Sequence, residues 1–239
     1  PVPTGKGARS AAARPDFNGD GLRDLVLDEL VRESSHADDA GIGIVYGSVS
    51  GVLDPRTRQL LTPARNAAPT DGVVPAAFES EAVCDLDGDG YSDLVVTTDP
   101  PYDGIGQPPV PLQLLFGGPK GLTAKAVKLR IPARSRAGNE WPDQPVCGDF
   151  DGDGAADLTV TASAGQLSFL RGPFTRGGAP RAAAAPIPAN ATVLAAPEPR
   201  EDADGDGYDD LAVRAAAGKP ARLLLGGPAG PGRAGGAYT

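Results

Sequence analysis

Nearly half of the acidic residues in this 239-residue chain fall into one recurring pattern, Asp-x-Asp/Asn-Gly-Asp-Gly-x-x-Asp. It occurs four times without gaps, as Asp16–Asp24 (DFNGDGLRD), Asp85–Asp93 (DLDGDGYSD), Asp149–Asp157 (DFDGDGAAD) and Asp202–Asp210 (DADGDGYDD). Side-chain oxygens at positions one, three and five can converge on one point if the chain curls around it. Glycines at positions four and six permit the backbone angles that such a curl needs. A dense set of hard oxygen donors suits Ca²⁺, which takes six to eight oxygens, better than Mg²⁺, which keeps a strict octahedron and several waters. The expected ligands are therefore Asp16, Asn18, Asp20 and Asp24; Asp85, Asp87, Asp89 and Asp93; Asp149, Asp151, Asp153 and Asp157; and Asp202, Asp204, Asp206 and Asp210. Position seven (Leu22, Tyr91, Ala155, Tyr208) would add a backbone carbonyl, and the ninth-position Asp would close the shell.

Two competing readings are weaker. An EF-hand shares the first six positions but needs a bidentate Glu at position twelve and flanking helices. Position twelve here is Leu27, Val96, Val160 and Val213, none of which binds a metal. A metal-free turn would crowd carboxylates that repel one another. Four Ca²⁺ ions would add eight positive charges to a formal net charge of -9 and nearly cancel it.

The elements that must hold these loops are short strands. Each loop runs into an apolar segment: Leu25–Leu27, Leu94–Val96, Leu158–Val160 and Leu211–Val213. Such bounded, largely β-branched runs read as buried strands. A second apolar strand follows and ends in glycine, at Gly47, Gly117, Gly172 and Gly226. Cys84 and Cys147 lie in short stretches just before the second and third loops. Each unit thus holds about four short strands, and one such sheet must stack on its neighbours to bury both faces. The 33 Gly and 25 Pro argue against a mainly helical protein. These features predict an all-β fold, a β-propeller of four-stranded blades.

The loops followed by Asp-Leu-Val and then a Phe/Tyr-Gly-x-x-x-Gly turn resemble FG-GAP repeats, as in the β-propeller of integrin α subunits and in secreted bacterial proteins, where the label VCBS repeat is also used. The resemblance covers roughly residues 15–232. It implies up to four structural Ca²⁺ ions, each held between the first and second strands of a blade, and a noncatalytic adhesion, interaction or scaffold role. Integrin-type rings usually have seven blades. The four units here either close by themselves or belong to a larger ring completed by a remainder of the same precursor. The expected organisation is an N-terminal extension (1–14), one propeller of four repeats (15–75, 76–138, 139–195 and 196–232) and a C-terminal tail (233–239).

Cys84 and Cys147 would lie on inner strands of adjacent blades, placed for a disulfide in an oxidising compartment. No apolar run approaches a membrane span. The expected location is extracellular, with a signal peptide already removed. Acidic balance argues against nucleic-acid binding. With one His, two Cys and no nucleophile elbow or phosphate loop, no enzyme is expected. The leading expectation is an exported Ca²⁺-binding propeller with a protein partner; the alternatives are a lectin-like propeller binding extracellular glycan, or an accessory domain of an extracellular hydrolase. The basic stretch 119–138 reads as a solvated outer strand and loop, with docking of an acidic partner as the alternative. The Pro-rich loop Asp99–Pro111, with Tyr102, reads as a linker or a ligand loop, Trp141 as a packing residue and His36 as a solvated loop residue.

Overall fold

The computed structural model describes residues 15–30 and 41–238 other than Val52, Gln107, Asn139 and Glu140; the expected N-terminal extension (1–14) and His36 lie outside the described residues. The described residues form four antiparallel sheets. The first holds β1 (Leu25–Leu30), β2 (Gly41–Val45) and β3 (Arg58–Leu61) in that order. The second holds β4 (Glu79–Cys84), β5 (Asp93–Thr97), β6 (Gln113–Leu115) and β7 (Val127–Lys128). In the third, β8 (Val146–Gly148), β9 (Asp157–Ala162), β10 (Gln166–Arg171) and β11 (Ala182–Ala183) are neighbours, and β12 (Ile187–Pro188) also pairs with β10. The fourth holds β13 (Val193–Ala195), β14 (Leu211–Arg214), β15 (Ala221–Leu225) and β16 (Arg233–Tyr238). A short α-helix, Pro63–Asn66, follows the first sheet.

Three apolar cores join the sheets in chain order. Ile42, Ile44 and Leu61 of the first sheet meet Leu94, Val96 and Leu115 of the second. Val95 and Leu114 of the second meet Leu158, Val160 and Leu170 of the third. Leu167 and Phe169 of the third meet Leu211, Val213 and Leu224 of the fourth. The strand after the second loop therefore points Leu94 and Val96 at the preceding sheet and Val95 at the following one. That two-sided burial explains why Leu94–Val96 is a continuous apolar run rather than an alternating one. The Cys84–Cys147 disulfide ties β4 to β8, with Cα atoms 6.3 Å apart.

Two boundaries differ from expectation. Residues 233–238 form β16, the outer strand of the fourth sheet, rather than a tail. Its Gly-rich sequence carries little apolar signal, but β15 offers it an open edge. β13, which falls at the end of the expected third repeat, pairs with β14 and belongs to the fourth sheet. The basic stretch also departs from its solvated reading at one of its six basic residues. Arg136 is buried and donates from Nη1 to the Pro108 carbonyl at 3.0 Å.

Candidate metal centres

Three acidic loops each connect two strands at one end of their sheet, β4 to β5, β8 to β9 and β13 to β14, and the first leads into β1. The glycines at positions four and six all have positive φ, from +70° at Gly152 to +93° at Gly207, as the curl requires. The first-position carboxylate organises the turn. Asp85 accepts from the N–H groups of Gly88 at 2.8 Å, Asp89 at 3.1 Å and Gly90 at 2.8 Å. Asp202 does the same for Gly205, Asp206 and Gly207. Asp16 accepts from Asp20 and Gly21, and Asp149 from Gly154. The fifth-position carboxylate accepts the N–H of position seven in every copy, that is, of Leu22, Tyr91, Ala155 and Tyr208.

Three loops bring carboxylates together. One oxygen from each member of Asp85, Asp87 and Asp93 lies within 4.8 Å of the others; so do those of Asp149, Asp151 and Asp157, and of Asp202, Asp204 and Asp206. The second and third loops thus gather positions one, three and nine, whereas the fourth gathers one, three and five. In the first loop Asn18 replaces an acid, and its Nδ2 donates to Asp20 Oδ2 at 3.0 Å. Several of these oxygens are buried without a hydrogen-bond partner: Asp87 Oδ1, Asp149 Oδ1 and Asp157 Oδ2. An orphaned buried carboxylate oxygen is costly unless something positive meets it. A hard cation at the centre of the loop fits that need.

The ninth-position Asp does more than its spacing suggested. All four are buried. Asp93 accepts from Leu86 N–H and Gly117 N–H, each at 2.8 Å, so it clamps the loop to the glycine that ends the next strand. Asp24 does this with Phe17 and Gly47, and Asp210 with Ala203 and Gly226. Asp157 keeps the Gly172 half of the clamp, and its other oxygen is the orphaned one. The recurring glycine has a steric reason too. A Cβ at Gly117, Gly172 or Gly226 would run into the carbonyl of the eighth loop residue, Ser92, Ala156 or Asp209. Burial pushes the carboxyls of Asp93 and Asp157 up to about 7, against backbone hydrogen bonds that pull them down. Asp24, Asp87, Asp149 and Asp210 are raised as well, again chiefly by burial.

Arginines that the sequence pattern did not reveal meet the outer carboxylates. Arg176 pairs with Asp87 at 2.7 Å and with Asp89. Arg171 reaches Asp151 at 3.2 Å and Arg181 pairs with Asp153. Arg233 lies 3.2 Å from Asp204 and 3.3 Å from Asp206. The carboxylates are therefore less bare than a count of acids implies. No recurring position marks them in the sequence: Arg171 precedes the strand-ending Gly172, whereas Arg233 lies seven residues beyond its counterpart Gly226.

Loops also dock on the following sheet. Ser92 N–H donates to the Asp16 carbonyl, and Asp16 N–H to Ser92 Oγ. Asp209 N–H donates to the Asp149 carbonyl, and Asp149 N–H to Asp209 Oδ2. Gly118 and Gly227 donate to the carbonyls of Phe17 and Phe150.

Residues 85–160, from the second loop through its sheet and the third loop to Val160, match the family model described as FG-GAP-like repeat. No curated protein matches the chain.

Proposed function

We propose, from the premise that this chain contains an FG-GAP-like repeat, that it is a noncatalytic calcium-binding module of the β-propeller type, exported and used to bind a protein partner. The observation that carries this reading is the convergence of carboxylate oxygens within 4.8 Å in three loops, two of which, the second and third, hold buried carboxylate oxygens without a hydrogen-bond partner. Bound calcium would supply positive charge at that point. The side chains of positions one, three, five and nine would hold it, and position nine would pass the constraint to the neighbouring strand through its clamp on Gly117 or its counterparts. In the first loop Asn18 would serve as a neutral oxygen donor. The ion's role in this reading is architectural: it fixes the turn between two strands and relieves the repulsion among acids.

The four sheets packed in chain order support blades arranged around an axis. The disulfide supports an oxidising compartment. No helix among the described residues is long and apolar enough to cross a membrane. The net charge of -9 favours a protein partner over nucleic acid.

Calorimetric titration of chelator-treated protein with Ca²⁺ tests the reading, together with thermal melts. Affinities on the order of 10⁻⁴–10⁻³ M are expected, as for extracellular calcium modules. Chelation should lower the melting temperature and added Ca²⁺ restore it, with Mg²⁺ much less effective. A melt that ignores both chelator and Ca²⁺ refutes the proposal.

A further inference from the structure

Three sheet junctions in this molecule are built alike. The second residue of an acidic loop is Phe17, Leu86 or Phe150, and each is fully buried in the core shared with the following sheet. The receiving sheet supplies the residue just after its own loop, Leu94, Leu158 or Leu211, which is likewise fully buried. In the first and third junctions its turn glycine, Gly118 or Gly227, donates to the carbonyl of the incoming Phe.

The first sheet has the same receiving surface with nothing described against it. Leu25 occupies the place of Leu94, Gly47 that of Gly117 and Gly51 that of Gly121. Together with Leu22, Arg23 and Leu53 they line a cleft of about 530 Å³. The register places Leu25 opposite Val45, and Leu27 opposite Gly43, which itself faces Leu60, so these residues share one side of the sheet. On that side Leu25, Leu27 and Leu60 are 38%, 39% and 43% exposed around a buried Val45, whereas Ile42, Ile44 and Leu61 on the other side are at most 1% exposed. At the far end of the stack the fourth loop carries only Ala203 at its second position, and it is exposed.

We propose that this outer face of the first sheet is a docking socket for a further FG-GAP-like repeat, one that inserts a Phe or Leu from the second position of its acidic loop beside Leu25 and Leu53. Continuity with three occupied sockets of the same construction identifies the occupant's chemistry. A second copy of this chain is disfavoured, because Ala203 leaves unfilled the space that Phe17 and Phe150 fill. The proposal deepens the interaction reading by naming its surface and partner class, and it does not depend on calcium.

Ala203→Phe tests it by giving the chain the missing plug. Sedimentation velocity in Ca²⁺ should show wild-type chain as monomer and Ala203→Phe chain in head-to-tail oligomers, at concentrations at least tenfold below any wild-type association. Adding Leu53→Asp to the variant should return it to monomer. Unchanged melting temperatures certify folding, since both positions are exposed. An Ala203→Phe chain that stays monomeric overturns the socket, as does association that survives Leu53→Asp. Wild-type chain that associates equally well, and loses this with Leu53→Asp, makes a second copy the occupant and overturns the size requirement. Calcium stabilisation, read on the same samples, is scored separately, so failure of the metal reading is distinguishable from failure of the socket.

Discussion

The first and second acidic loops share their backbone curl but not their charge. The second carries four Asp side chains at its candidate ligand positions and draws Arg176 from the third sheet onto two of them. The first carries three Asp and Asn18, and no ion pair among the described residues reaches Asp16, Asp20 or Asp24. The third and fourth loops follow the second: four acids, with Arg171 and Arg181 or Arg233 beside them. The turn is therefore built by the glycines and the first- and ninth-position carboxylates, which every copy has. Charge at positions three and five is a separate variable, and arginines accompany it where it is highest.

The sharpest way to separate the two loops is the disulfide, which braces the second and third sheets alone. Cys84 adjoins the second loop directly, and 63 residues separate the two cysteines. Closing a loop of that length stabilises by about 4 kcal/mol through the unfolded chain. Cys84→Ala with Cys147→Ala should lose most of that in urea denaturation. Amide exchange should rise around the second and third loops more than around the first. Equal loosening at the first loop would mean that the four sheets unfold as one unit and that the comparison has no energetic content.

The next effect is a dependence on pH in chelator. Asp93 and Asp157 have folded values raised to about 7, above the ordinary carboxylate range. A raised acid holds its proton in the folded state after the unfolded chain has released it, so stability falls as pH rises. Between pH 6 and 8 the unfolded carboxylates are already ionised, and these two groups together remove roughly 3 kcal/mol. Glu81 is also raised to about 7, but it lies at the surface, where solvent relieves much of the cost. Saturating Ca²⁺ should flatten or invert the slope, because it favours the ionised forms. A calcium-free protein that melts at the same temperature at pH 6 and pH 8 would remove the buried carboxylates from the account.

The ninth-position clamp should not distinguish the loops. Asp93→Ala leaves the N–H groups of Leu86 and Gly117 without their acceptor, and Asp24→Ala does the same to Phe17 and Gly47. Each substitution should cost about 2 kcal/mol in Ca²⁺ at neutral pH. A silent Asp24→Ala beside a damaging Asp93→Ala would show that the cost comes from lost metal rather than from the clamp.

What the sequence revealed and what it hid follow the same division. The loops, the strands after them and the strand-ending glycines are local: positive φ needs glycine, and two-sided burial needs an apolar run. The Cys84–Cys147 bond was legible because both residues hold equivalent places in adjacent repeats. Partners from distant segments were not legible. Arg176 is 89 residues from Asp87, and no local spacing links them. The ninth-position clamp was hidden for the same reason, although the glycine it grips recurs in all four copies. β16 was read as a tail because Arg233–Tyr238 is poor in apolar residues; an exposed outer strand is held by its ladder to β15 and needs few.

The smallest effect tests what the arginines do. Arg176 stands half-exposed beside Asp87 and Asp89, so its ion pairs contribute at most about 1 kcal/mol to the calcium-free fold. The same guanidinium repels a divalent ion entering that loop, and surface screening holds this to about 1 kcal/mol as well. Arg176→Ala should therefore act in opposite directions in the two states: a slightly lower melting temperature in chelator and a several-fold tighter Ca²⁺ titration. The first loop, whose carboxylates have no ion-paired arginine among the described residues, should titrate unchanged in the same sample. Nuclear magnetic resonance shifts of the Gly21 and Gly90 amides would report the two loops separately. Weaker calcium binding in the variant would instead make the arginine a brace that holds Asp87 and Asp89 in binding geometry, with charge balance secondary to shape.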